Sequence, residues 1–98
     1  MPKILDPESA VGLASRCFEK SNYLQTSKSK DSRYFGKRGS PWRIRVSNHI
    51  DPRPNTDVLV DIVFDYATIE QDVEVRVGKA ITQFERKAKM RWLETKSV

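Results

Sequence analysis

The chain has 98 residues, 38% hydrophobic and 32% charged, with a formal net charge of +5. That size fits one domain with one modest core, and that balance excludes a fully disordered chain. No apolar run approaches the roughly 18 residues of a membrane span, and the opening MPKILDPESA lacks a signal peptide's apolar core, so a cytoplasmic protein with no membrane partner is expected.

Asp6-Pro7-Glu8 is a helix start. Asp6 accepts from free backbone N–H groups, Pro7 suits the first helical position, and Glu8 favours the positive end of the dipole. Ala10, Val11, Leu13, Ala14, Cys17 and Phe18 recur at helical spacing, which predicts a helix over 7–20. Cys17 is the single cysteine and cannot form an internal disulfide. SNYLQTSKSKDS then has no period and reads as a mobile loop, with Tyr23 and Leu24 docking on the core.

RYF and WRIRVS read as two strands. Between them GKRGSP offers Gly36 and Gly39 for positive φ, and Pro41 at a strand's first residue. Trp42, Ile44 and Val46 alternate with Arg43, Arg45 and Ser47, so one face is apolar. NHIDPRPN is a break held extended by Pro52 and Pro54. The longest strand follows in TDVLVDIVFDYA, with Val58, Val60, Ile62 and Phe64 on one face.

Thr68 and Gln71 are spaced as a capping box, with Glu70 and Asp72 in the first turn. Ile69, Val73, Val77, Ala80, Ile81, Phe84, Ala88 and Trp92 continue in steps of three and four. VEVRV also fits a strand, and Gly78 costs helix stability. A fourth strand at 72–77 before a helix at 79–94 is therefore the second reading.

The fold class expected is α+β in the order α-β-β-β-α. It is a three-stranded antiparallel sheet with an N-terminal and a C-terminal helix on one face. The expected core holds Phe18, Trp42, Ile44, Val46, Val60, Ile62, Ile81 and Phe84.

Charge is uneven along the chain. Residues 1–50 hold ten Lys/Arg against four Asp/Glu, residues 51–80 three against seven, and residues 81–98 five against two. An anionic partner or internal pairing both explain this. Arg43 and Arg45 share a strand face, and a neighbouring strand 57–65 sets Asp61 and Asp65 beside them. Each such pair contributes only about 0.2–1 kcal/mol but cancels the outward field. Lys28, Lys30, Arg33, Lys37 and Arg38 form a basic cluster broken only by Asp31. Backbone N–H groups near Gly36 and Gly39 suit an anion, and Tyr34, Phe35 and Trp42 suit base stacking. Arg86, Lys87, Lys89 and Arg91 form a second basic group near the helix end, where the dipole also favours them.

His49 is the only histidine, and with Ser47, Asn48 and Asp51 it invites a catalytic reading. Alternation sends neighbours to opposite faces, so turn hydrogen bonds that end the strand are the better reading, and no enzyme is expected. No metal spacing, P-loop or dinucleotide fingerprint occurs, so no metal or cofactor is expected.

Ser32, Tyr34, Ile44, Arg45, Val46, Ser47, Asn48 and His49 follow a Ser-x-Tyr strand leading to IRVS[Asp/Asn]His. This segment resembles one found in small uncharacterised proteins of prophages and other mobile elements, with Asn48 where Asp is usual. The resemblance covers about a fifth of the chain. It implies a setting in which small basic proteins bind nucleic acid or inhibit a host machine. The leading expectation is a binding protein acting by occupancy on nucleic acid or a nucleoprotein. The rival is an inhibitor or subunit that meets an acidic protein surface, or a homodimer formed through an open strand edge at 33–36 or 57–65 or an apolar anchor at Trp92 and Leu93.

Overall fold

The computed structural model describes residues 2–48 and 55–96. Helix α1 spans Pro7–Lys20, followed by strands β1 (Leu24–Lys28), β2 (Ser32–Gly36), β3 (Arg43–Ser47) and β4 (Val58–Val63), and helix α2 (Glu70–Lys96). The class is α+β with a helix at each end of the strand series, as the periodicity predicts.

The start of α1 is as expected. The Ser9 amide and hydroxyl both donate to the Asp6 carboxylate, each at 2.8 Å. Its exit depends on Asn22, which takes φ 66°. Asparagine tolerates that left-handed conformation. The chain reverses there, the Tyr23 amide donates to Phe18 O at 2.9 Å, and the Tyr23 ring turns into the core.

The sheet differs from expectation in two ways. It has four strands in the order β1-β2-β3-β4, and the fourth is not 72–77 but Leu24–Lys28, within the segment read as a mobile loop. All five β1 residues are exposed, so no apolar alternation marks them. Backbone pairing with β2 makes the strand. Residues 72–77 belong to α2, where Val73 and Val77 are buried one turn apart.

The second difference is direction. β1-β2 and β2-β3 are antiparallel, but β4 runs parallel to β3. The Arg43 amide donates to Asp57 O at 2.7 Å and the Phe64 amide to Ser47 O at 3.0 Å, so the two strands start and end together. Alternation assigns a strand's face but carries no polarity, so the sequence pattern fits either direction.

Register places Phe35, Ile44, Val46, Val60 and Ile62 on the face that α1 and α2 cover. Of the eight expected core residues, six are buried. Trp42 and Ile81 are half-buried against the same cluster. Phe35 is core rather than a stacking surface: its ring stacks on Phe18 at 4.7 Å between centroids.

Helix α2 begins without the expected capping box. Thr68 Oγ1 is buried and makes no hydrogen bond among the described residues. The Glu70 amide donates instead to Lys3 O at 2.8 Å, beside an Ile4–Ile69 bridge, so the N-terminal segment satisfies the helix start. Val73, Val77, Ala80 and Phe84 are the buried residues of this 27-residue helix, which is about 40 Å long. From Lys89 to Lys96 every residue is exposed. A Cβ at Gly78 would meet nothing within 4 Å. Gly78→Ala is therefore expected to stabilise the protein by about 0.5–1 kcal/mol, read as a higher urea midpoint. A lower midpoint would show that α2 needs the glycine.

Two side chains of α2 cover the outer edge of β4. Arg76 Nη2 donates to Val63 O at 2.7 Å and Lys87 Nζ to Leu59 O at 3.2 Å. Capped carbonyls make β4 a poor template for another strand. The β1 edge carries no such cap among the described residues.

Candidate nucleic-acid interface

The residues of the first basic cluster are neighbours in sequence but not in space. Lys28 and Lys30 lie at the β1–β2 turn, Lys37 and Arg38 at the β2–β3 tip. Five residues of β2, about 17 Å, separate the two ends. Arg33 points to the helix side and donates to Ser15 Oγ at 3.0 Å, half-buried. It is an internal tether rather than a free cation.

Lys37 also has a partner, contrary to expectation. Its Nζ lies 2.7 Å from Glu85 Oε1 and 5.2 Å from the centre of the Tyr23 ring. Tyr23 Oη donates to the same Glu85 oxygen at 3.3 Å. The hydrogen bond from Lys37 holds the Glu85 carboxyl below its ordinary range. Burial, and then the Glu85 charge, pushes the Tyr23 hydroxyl up to about 12. These three side chains fasten the β2–β3 tip to α2. Glycine has a local reason at two positions of this tip. Gly39 sits at φ +85°, and a Cβ at Gly36 would press to 3.2 Å from Trp42 O. Only Gly39 has the positive φ expected of both.

Arg38 remains exposed, with no ion pair among the described residues. It lines a groove of about 450 Å³ between the tip and the C-terminal half of α2, together with Lys37, Trp42, Phe84, Ala88 and Trp92. Trp92 is 52% exposed, with Lys96 Nζ 4.6 Å from its ring centre. Arg86, Lys89 and Arg91 are exposed on the same half of α2, likewise without an ion pair among the described residues. Lys87, read as part of this group, is committed to the β4 edge.

The interior of the motif segment is architecture. Ser32 pairs with Ser47 and Tyr34 with Arg45 across β2 and β3. The two serine hydroxyls share a hydrogen bond at 3.0 Å and are buried, so Ser47 Oγ is not presented as a nucleophile. Arg45 Nε lies 3.2 Å from both Asp61 oxygens, and this bond raises the pKa of its guanidinium. The expected charge ladder is half formed. Arg43 stacks on the Tyr34 ring at 4.5 Å, bonds Ser27 Oγ at 3.0 Å and lies 3.8 Å from Asp57, while Asp65 accepts from the Ala67 amide in its own turn. His49 lies outside the described residues. Among the described residues no group of His, Cys, Asp and Glu is arranged to hold a metal, and no helix is long and apolar enough to cross a membrane.

The sequence signal missed most clearly is Trp92 with Lys89 and Lys96. They stand three before and four after it, a stripe legible from helical spacing alone. Comparison of the chain with protein-family models, curated proteins and solved structures returns no match.

Proposed function

We propose that the chain is a small nucleic-acid-binding protein that acts by occupancy rather than by chemistry, in a cytoplasmic setting. The mobile-element resemblance of the β2–β3 segment agrees with that reading. One observation carries it. Arg38 stands exposed and without an ion pair among the described residues on a groove whose lining carboxylate, Glu85, is occupied by Lys37, and Arg86, Lys89 and Arg91 stand exposed and likewise without one on the same half of α2, outside the groove lining. Lys28 and Lys30, at the far end of β2, supply a separate and weaker contact.

Phosphate contacts release counterions. If those four side chains each meet a phosphate, log affinity falls against log salt with a slope of about −3. Raising salt from about 50 to 200 mM then costs roughly 50-fold. Fluorescence anisotropy with labelled oligonucleotides reads this directly, and Arg38→Glu with Lys89→Glu should weaken binding and flatten the slope. No binding at low salt, or binding unchanged in the double variant, defeats the proposal.

A second reading has its own observation. Met90 and Leu93 are 56% and 50% exposed on the C-terminal end of α2 that also carries Trp92. Exposed apolar side chains on a helix end suit a protein partner. That partner is an acidic host protein or, through the uncapped β1 edge, a second copy. A pull-down with and without nuclease separates this class from the first, and solution mass reports the homodimer.

A further inference from the structure

We infer that the groove between the β2–β3 tip and α2 takes an unpaired base of a single-stranded nucleic acid, stacked on Trp92. This inference rests on the nucleic-acid reading above and deepens it to one form of the ligand. The groove's volume, about 450 Å³, lies within the roughly 300–1,000 Å³ usual for small-ligand sites. Its wall is aromatic and apolar, from Trp42, Phe84, Ala88 and Trp92, and its charged lining is Arg38 with the paired Lys37 and Glu85, while Lys96 at the Trp92 ring and Lys89 one helical turn before Trp92 add cations next to it. A single strand presents both complements at once, a π-face and a phosphate. A duplex keeps its base faces stacked inside, so it engages the cations and leaves the indole bare.

The Trp92 ring is already a cation platform, with Lys96 Nζ 4.6 Å from its centre. An incoming base displaces that ammonium from the ring and leaves it free to meet the adjoining phosphate, so the contact is exchanged rather than lost. Trp42 is only half-buried, while its inner side packs on the core. Lys37 is held back by Glu85, so Arg38 is the tip residue free to close over the strand.

The protein holds two tryptophans, and both line this groove. Intrinsic tryptophan emission therefore reports the groove itself. The test titrates the full chain with oligothymidine and, separately, with a duplex of matched length, at low salt and at moderate salt. Oligothymidine should quench the emission and the duplex should not. Trp92→Ala should weaken oligothymidine binding by about tenfold or more and leave duplex binding unchanged. Trp92→Phe should restore part of the loss, because it restores a ring. Trp92 is half-exposed, so circular dichroism should show the variants folded. Unquenched emission, or equal oligothymidine affinity in Trp92→Ala, overturns the stacking inference while the nucleic-acid reading stands. No binding of either oligonucleotide at low salt removes both. An emission shift on raising protein concentration alone assigns the groove to a second copy of the chain and overturns the inference.

Discussion

Asp61→Ala is expected to destabilise the protein by about 3–5 kcal/mol. The Arg45 side chain is 7% exposed, and its guanidinium meets both Asp61 oxygens across the parallel β3–β4 pair. Removing the carboxylate leaves the guanidinium with the Tyr34 hydroxyl but no counter-charge, and a buried cation without its charged partner costs far more than the pair contributes. A loss of that size lowers the thermal midpoint of a domain this small by more than about 10 °C. Replacing both members, Arg45→Met with Asp61→Leu, should recover most of the loss, because no charge is then stranded. Urea unfolding of the three variants is the measurement. An Asp61→Ala protein as stable as the parent would mean that Arg45 is solvated and the pair is ornamental.

Phe35→Ala is expected to cost about 3–5 kcal/mol, the range for deleting a buried aromatic side chain. Phe35 is fully buried, stacked on Phe18, whose ring adjoins Tyr23. Tyr23 in turn meets Phe84 edge-on at 5.9 Å between centroids. This aromatic chain joins α1, β2 and α2 beneath the candidate groove. From sequence, Phe35 is as good a base-stacking residue as Trp42, since both adjoin the basic tip. The two roles separate experimentally. A core Phe35→Ala unfolds at lower urea but binds oligonucleotide normally where it is folded. A surface stacking residue keeps its stability and loses affinity. The second outcome would place Phe35 at the interface.

Two elements show how far local pattern reaches. α1 was legible to the residue because its signals are local, a capping aspartate, a proline in the first turn and an apolar stripe. β1 was illegible for the opposite reason. LQTSK buries nothing, so it carries no alternation, and only the adjacent β2 edge makes it a strand. The candidate site divides in the same way. That Arg38, Lys89 and their neighbours are basic is plain in the sequence. That Lys28 and Lys30 lie a strand's length from Arg38 is not, and neither is the pairing of Lys37 with Glu85, 48 positions away.

By itself, then, the sequence determined the α+β class, α1, the part of α2 from residue 79 onward, the strands from Ser32 onward and the apolar face of each, because those follow from spacing within a few residues, whereas 72–77 fitted helix and strand alike. Only the tertiary structure decided the parallel run of β4, the membership of β1, and which cations are spent on Ser15, Glu85 and the β4 carbonyls. Strand polarity and charge pairing are relations between distant segments, and side-chain periodicity is blind to both. What those pairings leave exposed is Arg38 on the groove and the Lys89–Trp92–Lys96 stripe next to it, the surface on which the proposal rests.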